Sequence, residues 1–237
     1  MTRFRYSGLA WKAFGLAFGP RMKLGVRDIR VAGIPDRLPG HLPLLLVSNH
    51  TSWWDGFILR PVQQLVRPDG ALHIIMKEEE LSKRPFLRSL GGVGFEPESV
   101  SSFRALLRDL RQERQRDPAS SVLFFPQGRI WPSYRRSLGF LGGIRLVAEA
   151  LAPTIVLPMG LHLENGKHPA PTAFVSFGTP IQVERQGPSP EFLEQAVSDE
   201  LDAIHHFLGD AGEDADKQWP SRGVPLARAP KKVLERR

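Results

Sequence analysis

Apolar and polar positions divide the chain into short runs of strand character and longer runs of amphipathic helical character. Runs at 26–31, 44–48, 72–76, 93–96, 122–125, 155–159 and 173–177 predict seven strands. Their Leu-rich and β-branched composition suits a sheet buried on both faces. Residues 99–116 place Phe103, Leu107 and Leu110 on one helical stripe and Arg104, Arg108 and Arg111 on the next. Residues 190–208 place Leu193, Val197, Leu201, Ile204 and Leu208 on another. There Ser189 is the expected N-cap, Pro190 the first helical residue and Gly209 the C-terminal cap. Such alternation predicts an α/β fold over 26–209, a single domain whose mainly parallel mixed sheet is flanked by helices.

The two ends read differently. Residues 3–24 carry Phe4, Trp11, Phe14, Phe18 and Met22 at near-helical spacing, with Arg3, Arg5, Lys12, Arg21 and Lys23 around them. An aromatic stripe bordered by basic residues suits a helix lying among lipid head groups, and equally a helix docked on its own core. Residues 1–25 are therefore expected to form an amphipathic, membrane-associating segment. Beyond Gly209 the pattern fails: residues 210–237 begin acidic, turn Pro-rich and end basic, which predicts a flexible tail.

Composition narrows the function. With 237 residues and 41% hydrophobic positions the chain can bury a sizeable core. It has no cysteine, which excludes disulfides, thiolate metal sites and a cysteine nucleophile. A net charge of +7 asks for an anionic partner, such as a membrane surface, a phosphorylated substrate, an acidic carrier protein or nucleic acid. The basic residues are spread along the chain and no nucleic-acid-binding module is present, so nucleic acid is not expected. No run approaches the ~18 apolar residues that span a bilayer. A cytoplasmic protein, peripheral on the inner face of the cell membrane, is the expectation.

The most informative stretch is the strand at 44–48 together with the turn after it. Asn49 and His50 lie just past the strand end, at the rim where α/β proteins place their sites. Asp55 comes five residues later. If Asn49 or His50 caps a short helix, Asp55 folds back onto the imidazole Nδ1, fixing the tautomer and leaving Nε2 as a base. On spacing alone, His50 as a helix cap and Asp55 as an ordinary first-turn acid is the commoner arrangement. Trp53 and Trp54 suit the mouth of an apolar site, or core packing. His73, His162 and His168 are scattered, and the adjacent His205 and His206 face different ways, so no metal site is expected.

Asn49-His50-Thr51-Ser52-Trp53-Trp54-Asp55 resembles the first motif, Asn-His-x-Ser-x-x-Asp, of the glycerolipid acyltransferase family, the 1-acylglycerol-3-phosphate acyltransferases and their relatives. Further resemblances come in family order: Met76-Lys77 with Glu80-Leu81, the glycine-led Leu90–Phe95, Phe124-Phe125-Pro126-Gln127-Gly128, and Ile155–Met159. The resemblance implies an O-acyltransferase in which His50 is the general base and Asp55 its orienter. It implies a fatty acyl thioester donor, acyl-CoA or acyl carrier protein, as co-substrate with no other cofactor, and a lysophospholipid or other lipid-like acceptor. Asn49, Ser52, Lys77, Gln127, Gly128 and Arg129 are the substrate-binding candidates it marks. Two departures bear on the acceptor. Pro97 stands where the family carries an arginine for the acceptor's phosphate, and Gln127 stands where it carries Glu. Arg129, Arg135 and Arg136 are available as replacement cations. A non-catalytic or weakly catalytic lipid-binding relative at the membrane surface is the alternative reading of these losses.

Overall fold

The computed structural model describes residues 4–220 and 223–224. Within them nine strands, β1 (Asp28–Ala32), β2 (Leu44–Ser48), β3 (Leu72–Lys77), β4 (Gly92–Phe95), β5 (Ser121–Phe124), β6 (Thr154–Glu164), β7 (Thr172–Phe177), β8 (Ile181–Val183) and β9 (Gly223–Val224), form one mixed sheet. The helices are α1 (Gly8–Gly25), α2 (Asp55–Val66), α3 (Glu78–Lys83), α4 (Val100–Arg116), α5 (Gly143–Leu151), α6 (Pro190–Ala211) and α7 (Ala215–Gln218). Strand order is β4-β3-β5-β2-β6-β7-β1-β9, with β8 beside the first half of β6. Pairing is parallel from β4 through β6 and at β1–β7, and antiparallel at β6–β7, β6–β8 and β1–β9. All seven predicted strands are present. The two that sequence reading missed, β8 and β9, are three and two residues long, too short to carry a pattern.

β2 lies near the middle of the sheet, held by β5 on one side and β6 on the other. Its Leu44–Val47 run is buried on both faces, each side chain contributing about 1.5–3 kcal/mol. Leu45 and Val47 pack with α4, α5 and α6 in one cluster, while Leu44 and Leu46 pack with α2 in another. Alternation of side chains along the strand thus feeds two cores. The β3–β5 ladder ends at Ile74–Leu123, yet β3 stays paired with β4 as far as Lys77–Phe95, and β5 with β2 as far as Val47–Phe124. The sheet therefore divides between β3 and β5 at the carboxyl ends of its parallel strands, close to the end of β2.

As far as they are described, both ends of the chain pack onto the domain. Most of the aromatic stripe of α1 faces inward: Phe14 and Met22 are buried against Phe57, Leu81, Leu87 and Leu90, while Phe18 is 43% exposed. Phe4 precedes the helix and is buried edge-on against His73. What α1 leaves outside is a second apolar row, Leu9, Leu16 and Leu24, each more than three-quarters exposed. Arg3 lies outside the described residues. The helix does not end at Gly209, so the expected tail does not begin at residue 210. α6 continues to Ala211 and ends at Gly212, whose φ of +59° is one that glycine adopts without strain. Ala215 and Trp219 are then buried against Phe174 and Phe207, the first of which comes from β7, far back in the sequence. Of the expected tail, residues 221–222 and 225–237 lie outside the described residues.

Candidate active site

The turn 49–54 joins β2 to α2, and neither Asn49 nor His50 caps the helix. Asp55 is itself the first residue of α2, and the preceding turn winds around its carboxylate. Asp55 has no exposed surface. Its Oδ2 accepts from the backbone N–H of Thr51 (2.6 Å) and of Ser52 (3.0 Å), and its Oδ1 accepts from the hydroxyls of Ser52 (2.7 Å) and Thr51 (3.2 Å). Position at a helix N-terminus favours the same negative charge. His50 Nδ1 lies 2.7 Å from Asp55 Oδ2. With a carboxylate there, the ring proton belongs on Nδ1, and Nε2 is left with its lone pair.

The rest of His50 is equally constrained. Its backbone N–H donates to Gln127 Oε1 (2.7 Å), its carbonyl accepts from Trp131 N–H (2.8 Å), and its ring stacks on Phe125 at 4.3 Å. The imidazole, about a quarter exposed, borders a cavity of about 860 Å³. The walls are largely apolar: Trp11, Trp53, Phe57, Ile74, Met76, Leu87 and Leu90 from one face of the sheet, Ile75, Phe95, Phe103, Phe124 and Leu146 from the other. Such a shape and lining suit a long hydrocarbon chain.

Of the substrate-binding candidates, Lys77, Gly128 and Arg129 border this cavity. Arg129 stacks over the Trp131 ring at 4.5 Å, and Arg135 over the same ring at 3.5 Å. Arg136 is instead paired with Asp202. Gly128 has φ of +67°, a conformation that turns the chain back after β5 and that a side chain would strain. Pro97 also borders the cavity, so the position where an arginine was expected is apolar.

Three candidates are committed to the protein itself. Asn49 exchanges two hydrogen bonds with the Leu161 backbone (2.9 and 2.8 Å) and is buried, so its amide ties the turn to β6. Ser52 holds Asp55 and caps the Trp54 N–H. Gln127 borders the cavity, but its Oε1 receives the His50 N–H and its Nε2 donates to Leu138 O (3.1 Å). An amide at 127 serves both contacts, whereas a carboxylate accepts the first and repels the second. Gln127→Glu is expected to lower stability by about 1–3 kcal/mol and Gln127→Leu, which strands both buried partners, by more. Urea unfolding of the two variants gives the order, and a Glu variant as stable as wild type would remove Leu138 from the explanation.

Sequence reading missed a second polar cluster that braces the same loop. His162, on β6, has Nδ1 2.6 Å from Ser133 Oγ and Nε2 3.3 Å from Glu164. His205 on α6 approaches His162 Nδ1 at 3.3 Å, while His206 points away toward Asp210. Partners 29 and 43 residues apart leave no spacing signal. Burial pushes His162 below the ordinary imidazole range against the pull of Glu164. Burial, then His162 and Arg136, lowers His205. A folded pKa below the unfolded value means that the unfolded chain takes up protons first. Stability is therefore present above the ordinary value of about 6.5 and falls as pH drops from there through the lowered folded values. Melting temperature measured across that window is expected to fall on acidification, and His162→Gln to flatten the slope. An unchanged slope in the variant would assign the dependence elsewhere. Among the described residues no group of three or more His, Asp or Glu is arranged to hold a metal ion.

The strands and the turn that build this site lie within residues 29–162, which match the profile of one family. The chain belongs to that family, Acyltransferase. Among solved structures it is similar to the 1-acyl-sn-glycerophosphate (LPA) acyltransferase PlsC of Thermotoga maritima. That likeness has a TM-score of 0.54 and 20% identity over 79% of this chain and 77% of that one, which is a likeness of fold. No curated protein matches in sequence.

Proposed function

We propose that this acyltransferase moves a fatty acyl group from a thioester, acyl-CoA or acyl carrier protein, to a hydroxyl of a lysophospholipid or other lipid-like acceptor. The observation that carries the reading is the 2.7 Å contact between His50 Nδ1 and the buried Asp55, with the ring at the edge of the apolar cavity. His50 Nε2 takes the hydroxyl proton as the oxygen attacks the thioester carbonyl, and Asp55 stabilises the imidazolium so formed. The tetrahedral intermediate collapses by breaking the C–S bond, and the imidazolium proton passes to the departing thiolate. The reaction has no acyl-enzyme stage and needs no cofactor. Lys77 and Arg129 at the rim are placed to meet anionic parts of donor or acceptor. The test is release of free thiol from palmitoyl-CoA and from palmitoyl acyl carrier protein with a panel of lipid alcohols. Binding of these lipids without any transfer would favour the non-catalytic alternative.

The same reading places the protein on the inner face of the cell membrane as a peripheral protein. No described helix is long and apolar enough to cross a bilayer. The exposed Leu9, Leu16 and Leu24 row on α1, together with a net charge of +7, supports attachment to an anionic surface. Replacing all three leucines with serine is expected to lower sedimentation with phosphatidylglycerol vesicles by about tenfold or more, since each buries several methylenes. Undiminished sedimentation would move the membrane contact off α1.

A further inference from the structure

We infer that the cavity is a two-armed site, and that the arm between α4 and α5 receives the hydrocarbon tail of the acceptor. The inference rests on the proposed acyl transfer and names the kind of acceptor: a single-chain lipid alcohol whose tail is bound by the protein.

The division of the sheet between β3 and β5 carries it. Ile74 and Ile75 are neighbours in β3 and point to opposite faces, and Phe124 and Phe125 do the same at the end of β5, yet all four border one cavity. One arm runs beneath α1. Its Phe57, Leu87 and Leu90 are buried in the cluster that docks α1, which closes that part of the arm, while Trp53, which also borders the cavity on this face, is 41% exposed. The other arm lies against Phe95 and Phe103, and its outer wall is Leu141 and Leu146, which are 60% and 43% exposed. It is open along one side. Gly143 lets the Phe103 ring lie close against α5, for a Cβ there would come within 3.2 Å of that ring, and a larger side chain would push into the arm. His50 and Phe125 border the same cavity beside the division.

An acyl transfer joins two chains into one product, which has to leave with both tails. A closed arm can hold the acyl chain of a thioester whose carrier stays outside. The open arm then admits a second tail and lets the joined product withdraw sideways. Pro97 borders the cavity where a headgroup arginine was expected, which shifts acceptor binding from the headgroup toward the tail.

The test uses the full chain and has a binding and a kinetic arm. Palmitoyl lysophosphatidic acid bearing a diazirine at the tail end is photolysed with the protein, and labelled peptides are mapped. Label on residues 141–146 or Phe103 is expected, and it stands whether or not transfer occurs. Label on Leu87 or Leu90 instead overturns the inference. In the kinetic arm, Gly143→Leu is expected to lower the preference for palmitoyl over hexanoyl lysophosphatidic acid by about tenfold or more, each methylene denied burial counting for roughly fourfold. The preference for palmitoyl-CoA over octanoyl-CoA should move less than about twofold, and Met76→Trp on the closed arm should show the reverse pattern. A Gly143→Leu protein that shifts donor preference, or slows both acceptors alike, overturns the assignment. Should that variant fail to fold, Leu146→Arg at the exposed rim asks the same question. Absence of all transfer by wild type defeats the functional reading, while the position of the photolabel still decides the tail site.

Discussion

His50→Ala is expected to lower acyl transfer by on the order of 10²- to 10⁴-fold, the usual contribution of a positioned general base. The protein should stay folded. The imidazole is partly exposed, and its loss removes a stacking contact with Phe125 while leaving Asp55 with the Thr51 and Ser52 donors. The backbone of residue 50 keeps its bonds to Gln127 and Trp131 whatever the side chain. Thiol release by matched preparations, with melting curves as a control, measures the loss. Equal rates in variant and wild type would sink the assignment of His50 as base.

Asp55→Asn is expected to be nearly as damaging to turnover, on the order of 10³- to 10⁴-fold by comparison with hydrolase triads, and more damaging to stability. The carboxylate accepts from two backbone N–H groups and two hydroxyls besides the imidazole. An amide presents one oxygen and one NH2. Turned with oxygen toward Oδ2, it keeps the backbone donors but meets the two hydroxyls with its NH2, which they can accept only by giving up their own donation. Turned the other way, it sets N–H against N–H at a residue with no exposed surface. Each stranded donor costs about 1–3 kcal/mol. Urea unfolding and turnover of the same sample separate the two effects. Turnover within about threefold of wild type would show that Asp55 holds the turn without tuning the histidine.

The sheet was largely legible in the sequence because a strand buried on both faces must be apolar along most of its length, as β2, β3, β5 and β6 are. α4 and α6 were legible from their stripes, and α6 also from its Ser189 cap. The pairing of His50 with Asp55 was legible as a motif, but its geometry was not: spacing suggested a helix cap at 49 or 50, while the structure makes residue 55 the first of the helix. A motif marks Asn49, Ser52 and Gln127 as present, and not which atoms each spends on its neighbours. Their partners, Leu161 and Leu138 among them, are set by the register of distant segments. The docking of Trp219 escaped for the same reason, since Pro-rich, charged surroundings hid a single aromatic residue whose pocket is made by β7 and α6.

β2 is flanked by strands on both sides, and Asn49 fastens its exit turn to β6. On the proposed mechanism the base is mounted there and does not travel toward a substrate, so substrates are brought to a fixed point. On the same proposal, adaptation to a new acceptor falls to the periphery: the wall at Pro97, the loop from Gly128 to Leu141, and the packing of Phe103 beside Gly143. Chemistry and preference are thereby written in separate parts of the chain, and the second can drift through many variants while the first stays intact.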